Sequence, residues 1–324
     1  MNILVTGGAG YIGSVTSEQL LNQGHQVVVF DNLERGHRAA LDPRAKFIEG
    51  DLRDYPAIER ALLQTRPEAV VHFAAYALVG ESMERPEVYF GNNLRGGINL
   101  AEAMLKSGTR RIVFSSTCAV YGQPDCSPIT EDTPQKPTNP YGESKLMFEK
   151  VLSWYQRLHG FQPVFLRYFN ACGASAKFGE DRDPETHLIP NILKVALGQK
   201  PAVELFGDDY DTPDGTCIRD YIHVADLARA HCLALVKPVT GAINLGTGHG
   251  YSVRQVIDVA RRITGHPIPI ALASRRSGDP GRLVAAAAKA ERELGWRPEH
   301  SSLEEIIGSA WAWCRAHPHG YEKK

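Results

Sequence analysis

A glycine-rich turn set between an apolar run and a helical stretch at the start of the chain narrows its possible folds more than any other feature. Asn2-Ile3-Leu4-Val5-Thr6 predicts a buried strand. Gly7-Gly8-Ala9-Gly10-Tyr11-Ile12-Gly13 follows directly and leads into a helix expected to reach about Gln23. The run satisfies both Gly-x-Gly-x-x-Gly (Gly8, Gly10, Gly13) and Gly-x-x-Gly-x-x-Gly (Gly7, Gly10, Gly13). Between a strand and a helix, such glycines permit a tight turn, let the backbone approach a pyrophosphate and let the helix lie close on the strand. The helix N-terminus then offers unpaired N–H groups to the anion. A second strand, Gln26-Val27-Val28-Val29-Phe30, ends in Asp31, eighteen residues past Gly13. An acid at about that distance reaches the adenosine ribose hydroxyls. Its carboxylate repels a 2′-phosphate, so NAD is expected as the cofactor rather than NADP.

A second constellation lies further along. Tyr141 and Lys145 stand four residues apart, downstream of a Ser115-Ser116-Thr117 run. On a helix that spacing makes them neighbours on one face. A phenol of pKa near 10 is a poor base at neutral pH, and a nearby ammonium lowers that value. Bringing it to about 7 takes roughly 4 kcal/mol of differential interaction. A phenol tuned in this way suits removal of a proton from an alcohol while hydride leaves the same carbon. Twelve tyrosines make roughly one Tyr-x-x-x-Lys expected by chance. Tyr141 begins the only one, so the pair acquires meaning through the glycine turn and the Ser115–Thr117 run.

The first half alternates short apolar runs with helical stretches. Strands are expected at about 2–6, 26–30, 46–49, 69–73, 111–114 and 163–166, and helices near 11–23, 54–64, 86–106 and 141–159. That rhythm predicts an α/β fold, a Rossmann-type doubly wound parallel sheet with helices on both faces. Ligands then sit at the carboxyl ends of the strands, where Asp51-Leu52 is expected to bound the adenine and Phe73-Ala74-Ala75 to line the cofactor. After about residue 170 the texture turns to glycine-, proline- and acid-rich loops, which predicts a second, smaller α/β substrate-binding domain. Arg219–Asp226, the helix after it and Ala242–Gly246 read as a return to the first sheet. The expected division is therefore 1–170 plus about 219–250 for the NAD-binding domain, and about 171–218 plus 251–324 for the other. The residues after about His317 read as a frayed tail.

Whole-chain properties exclude several classes. A net charge of −1 gives no electrostatic argument for nucleic acid or a membrane surface, and neither is expected as a partner. No apolar stretch approaches a transmembrane helix, and Met1 leads straight into the first strand, so no signal peptide is expected. The six cysteines (118, 126, 172, 217, 232, 314) form no Cys-x-x-Cys, and no metal site is expected. Reduced thiols and a cytoplasmic location follow as expectations.

With these residues in view, the chain resembles the extended branch of the short-chain dehydrogenase/reductase superfamily, and within it the UDP-glucose 4-epimerase family. The likeness spans essentially the whole chain. It runs through TGGAGYIGS at 6–14, DNL at 31–33, VGES at 79–82, NN at 92–93, FSST at 114–117, VYG at 120–122 and NPYGESK at 139–145. It continues with RYFN at 167–170, DGTCIRDYIHVADLA at 214–228, INLGTG at 243–248 and RRSGDP at 275–280. The resemblance implies Tyr141 as catalytic base, Lys145 as its ribose-binding partner and Thr117 as the residue that holds the sugar hydroxyl. It implies Ser115, Tyr11, Ile12, Asn32, Asn92 and Tyr168 as cofactor contacts beside Gly7, Gly10, Gly13 and Asp31. On the substrate side it implies Asn170, His187, Leu188 and Phe206, with Arg219 and Arg276 gripping a diphosphate and Asp279 a uridine ribose. Arginine forks suit phosphate better than a lysine point charge. The implied substrate is a UDP-hexose, epimerised at C4 through a transient 4-keto sugar, and the implied assembly is a homodimer.

Leu283 departs from the large Tyr that some members carry at the sugar-pocket wall, which leaves N-acetylated and pentose UDP-sugars open as substrates. A UDP-N-acetylglucosamine 4-epimerase is thus one alternative. A nucleotide-sugar dehydratase or decarboxylase is another, but those enzymes place an acid one or two residues after the Thr, where this chain has Cys118 and Ala119. A non-enzymatic dinucleotide sensor would have no use for Tyr141, Lys145 and the two arginines together.

Overall fold

The structure, a computed structural model, describes residues 1–276 and 279–321. Ser277 and Gly278 of the 275–280 motif, and the three residues after Tyr321, lie outside it. The strands β1 (Asn2–Thr6), β2 (Gln26–Asp31), β3 (Lys46–Glu49), β4 (Ala69–His72), β5 (Arg111–Thr117) and β6 (Gln162–Tyr168) lie in one parallel sheet. Gly241–Leu245 completes it at the edge beside β6, in the order 241–245, β6, β5, β4, β1, β2, β3.

Alternation along each strand divides the side chains between two cores. Ile3, Val5, Val71, Val113 and Leu166 face the helices α1 (Tyr11–Asn22) and Val224–Val236, through Leu20 and Leu227. Leu4, Val70, Ile112 and Phe114 face the helices Tyr55–Thr65, Gly96–Ser107 and Pro140–His159, through Leu62, Met104 and Phe148. Covering both faces is what a parallel sheet of apolar strands requires. Each fully buried Leu or Ile contributes about 1.5–3 kcal/mol. The chain runs from β1 outward to β3, then crosses back to β4 on the other side of β1. That reversal opens a crevice above β1 and β4, the place where such sheets bind ligands.

The expected continuous helix at 86–106 is interrupted. Pro86–Tyr89 passes into a π-helical turn, Phe90–Arg95, before Gly96–Ser107 resumes. The wider turn carries Asn93 inward, where its amide takes Tyr76 N at 2.9 Å and gives to Tyr76 O at 3.0 Å and Ser144 Oγ at 3.1 Å. A side chain that satisfies three buried polar groups accounts for the extra residue in the turn.

Beyond β6, helices Leu188–Ala196, Val253–Thr264 and Leu303–Ala316 enclose a separate apolar cluster of Ile192, Leu193, Ile257, Ile306 and Ile307. A parallel pair, Val203–Phe206 with Ile270–Ala273, borders it. Of the segment expected to rejoin the first sheet, only Gly241–Leu245 pairs there. Ile218–Arg219 pairs with Tyr251–Ser252 and Arg282–Leu283, and Tyr221–His223 pairs with Asn170–Cys172. The frayed tail is corrected as far as Tyr321. That ring is 7% exposed, lies 5.3 Å from Trp313, and its hydroxyl takes Gly179 N at 3.1 Å.

Candidate active site

The dinucleotide end is built from β1 and β2. Gly7 adopts φ +74°, and a Cβ there would lie 2.4 Å from Ala74 N; a Cβ on Gly13 would lie 2.2 Å from Gly7 O. Only glycine lets the turn, the helix and the strand after it approach so closely. Gly10 caps α1 without a side-chain bond, which leaves the N–H groups at Tyr11, Ile12 and Gly13 directed to the crevice. At the end of β2, Asp31 is buried and accepts from Ala9 N at 3.0 Å and Leu33 N at 2.9 Å. Burial raises its pKa, and the two N–H bonds oppose that rise. Asn32 donates to Asp51 at 2.8 Å. Burial works against ionisation of Asp51, but bonds from Arg53 and Asn32 outweigh it and bring its pKa to about 2. An uncapped helix start, a glycine cradle and a carboxylate at the end of the second strand fit NAD. Leu52, Phe73, Ala74, Ala75 and Asn92 line the walls beyond it.

The chemical centre lies where β5 meets the helix Pro140–His159. Asn139 caps that helix by accepting from Gly142 N at 2.8 Å, and Pro140 occupies its first position. Tyr141 therefore falls in the first turn and Lys145 one turn on, facing Ser115 and Thr117 at the carboxyl end of β5. Lys145 Nζ donates to Ser115 O at 2.9 Å, and Ser115 Oγ bonds the Tyr168 hydroxyl. The expected lowering of the phenol is not produced by these groups. Desolvation raises Tyr141 to about 12, partly opposed by a hydrogen bond from Thr117. Desolvation also brings Lys145 down to about 7, partly opposed by Glu149. The reason is that both groups are enclosed, and the ammonium is directed at a carbonyl rather than at the phenol.

The far end is charged. Arg219 Nη2 donates to Asp279 Oδ1 at 2.6 Å, and the Arg276 guanidinium stacks over Phe206, 4.0 Å from its centroid. Asn170 N donates to Asp220 O at 3.0 Å, which aligns the start of its short strand. Leu283 pairs in register with Arg219 and packs with Cys118 against a cluster that includes Val120 and Leu146. His187 Nδ1 lies 2.9 Å from Glu180 Oε1, and Leu188 begins the next helix. Every residue assigned from the sequence to catalysis, cofactor or substrate lines a single cavity of about 2670 Å³.

Sequence reasoning missed two groups there. Glu180, Arg182 and Glu185 line the cavity around His187, with Arg182 Nε donating to Glu180 at 2.7 Å. Burial opposes ionisation of Glu180, but His187 and Arg182 hold its carboxyl below the ordinary range. The run 178–187 read only as an acid-rich loop, and nothing in its spacing signals the cluster. Beneath the chemical centre, Glu149 accepts from Ser116 Oγ at 2.5 Å and from Arg167, which in turn donates to Tyr121 OH at 3.0 Å. Here a signal existed: Glu149 is four residues past Lys145 and so shares its helix face.

The NAD dependent epimerase/dehydratase family matches residues 3–246. The UDP-glucose 4-epimerase of Halalkalibacterium halodurans is 53% identical over 99% of this chain and 98% of its own length. A crystal structure of a UDP-glucose 4-epimerase superposes with a TM-score of 0.97 at 49% identity, covering 100% of both chains. That of the Bifidobacterium longum enzyme in complex with NAD+ and UDP does so at 0.95 and 42%, covering 99% of this chain and 100% of its own.

Proposed function

This chain belongs to the NAD dependent epimerase/dehydratase family, and from that premise we propose that it interconverts UDP-galactose and UDP-glucose by inversion at C4 of the hexose. It is an NAD-dependent isomerase. The observation that carries the reading is the meeting, in one cavity, of the glycine turn, the Tyr141–Thr117 pair and the cations Arg219 and Arg276.

NAD, held at the Gly7–Gly13 turn and Asp31, supplies when bound the acceptor and donor of the C4 hydride, together with a positive charge near the phenol. The chain's residues do the rest. Tyr141 takes and returns the proton of the 4-hydroxyl, and Thr117 holds that hydroxyl in line. Lys145, anchored on Ser115, is placed for the cofactor's ribose. Arg219 and Arg276 hold the diphosphate, Asp279 the uridine ribose and Phe206 the uracil, with Asn170, His187 and Leu188 along the wall. Affinity concentrated on the nucleotide leaves the hexose free to present either face, since remote groups can bind while the reacting part moves. We assign residues 1–170 with about 219–250 to the cofactor and the remainder to the nucleotide sugar.

Trp154 and Leu158, four residues apart on Pro140–His159, are 56% and 68% exposed. An apolar pair on one face of a long helix supports pairing with a second copy. No helix of the described residues is long and apolar enough to cross a membrane. With six free cysteines, this supports a cytoplasmic enzyme. Purified protein given UDP-galactose should form UDP-glucose with no net reduction of added NAD. Loss of the 6-hydroxyl or of carbon dioxide from the sugar would place it instead with the dehydratases or decarboxylases.

A further inference from the structure

The loop after β2 does more than end at Asp31. His37 N donates to Ala9 O at 2.9 Å, and Gly36 lies so close to Ala9 that a Cβ would meet its backbone at 2.9 Å. The loop is thereby fixed against the glycine turn. From it, Arg35 Nη2 reaches Glu81 Oε1 at 2.8 Å, on the short helix Val79–Glu84 that follows β4. Arg35 Nη1 reaches Asp183 O at 3.2 Å, in the loop that carries Glu180 and Arg182. The guanidinium also lies over the Tyr76 ring, 5.3 Å from its centroid. Glu81 is itself steadied by Tyr89 OH at 2.9 Å.

Topology says what this bridge crosses. In the sheet, β1 lies between β2 and β4. A link from the loop after β2 to the helix after β4 therefore passes over the carboxyl end of β1, which is the glycine turn. Arg35, Glu81 and Asp183 all line the cavity. Resting on the assignment of NAD to that turn, we infer that Arg35 is a clasp across the dinucleotide, a positioning residue that closes the crevice over the pyrophosphate and slows escape of NAD between turnovers. An epimerisation without net redox change reuses its cofactor only while the cofactor stays. The clasp consists of protein groups alone, so it obstructs entry as well as exit. That separates it from a direct phosphate contact, which would change affinity through release only.

The test follows exchange of bound NAD for its fluorescent 1,N6-etheno analogue in the purified holoenzyme. Removing one exposed ion pair and one cation–π contact in Arg35→Ala should speed release by roughly tenfold. Uptake should speed in parallel, so the dissociation constant moves by much less. Arg35→Lys should release nearly as fast, because an ammonium cannot span both partners. Glu81→Gln should also speed release, and the double variant should be no faster than Arg35→Ala. Unchanged release in Arg35→Ala overturns the clasp. So does faster release with normal uptake and a silent Glu81→Gln, which would place Arg35 on the phosphate. Wild type that leaves gel filtration without NAD would overturn the cofactor assignment and the clasp with it.

Discussion

Lys145 Nζ donates to the main-chain oxygen of Ser115 at 2.9 Å, so the helix that carries Tyr141 is fastened to the strand that carries Thr117 by a buried ammonium. Burial lowers this lysine from 10.5 to about 7. Between those values the unfolded chain holds a proton that the folded one has released. Stability therefore rises with pH across that window and is lost as pH falls toward about 7. Lys145→Met removes this contribution. Urea unfolding between about pH 7 and pH 9.5 should show a flatter pH dependence in the variant than in wild type. Parallel curves would mean that Lys145 is charged in the folded protein throughout.

Tyr141→Phe keeps the ring and loses the hydroxyl. Turnover should fall by roughly 10²–10⁴-fold, the range for removal of a general base, with NAD and UDP binding retained. Near-wild-type turnover, measured in a coupled assay for UDP-glucose, would take Tyr141 out of the mechanism.

Leu283 lies in register with Arg219 and lines the cavity near Cys118. Leu283→Tyr should abolish turnover of UDP-N-acetylgalactosamine while sparing UDP-galactose, because the larger ring fills the space that a C2 N-acetyl group needs. Equal loss of both activities would show that residue 283 supports the wall without selecting the sugar.

Glu149 and Arg167 are each 3% exposed and bonded through both carboxylate oxygens. Glu149→Ala leaves the guanidinium buried without a counter-charge, which should cost about 3–5 kcal/mol in chemical denaturation. A loss below about 1 kcal/mol would mean that water reaches Arg167 in the variant.

Much of this was readable from the chain because it rests on local chemistry. Gly7 and Gly13 are dictated by atoms 2.4 and 2.2 Å from where a Cβ would stand, and the apolar runs of the sheet are dictated by burial on both faces. What escaped notice depends on partners far apart in sequence. The interruption at Phe90–Arg95 exists because Asn93 meets Tyr76 and Ser144, and helix propensity carries no trace of that. Arg182 meets Glu180 inside a loop whose sequence looks only acidic. The inverted pKa order of Tyr141 and Lys145 comes from enclosure, which a four-residue spacing does not reveal.

The edge strand Gly241–Leu245 sets a timetable for synthesis. It covers β6, whose last residue, Tyr168, stands in the cofactor wall, yet it is made only after 245 of 324 residues have been joined. A ribosome working from the N-terminus thus delivers the nucleotide-sugar loops before the sheet that positions them is closed. Meanwhile β6 offers a bare row of N–H and C=O groups, the kind of edge to which other chains add. A fragment stopped at residue 170 would keep that edge permanently. For this protein the cofactor half is not an independent module that acquired a substrate half, because its own sheet is completed by what comes after.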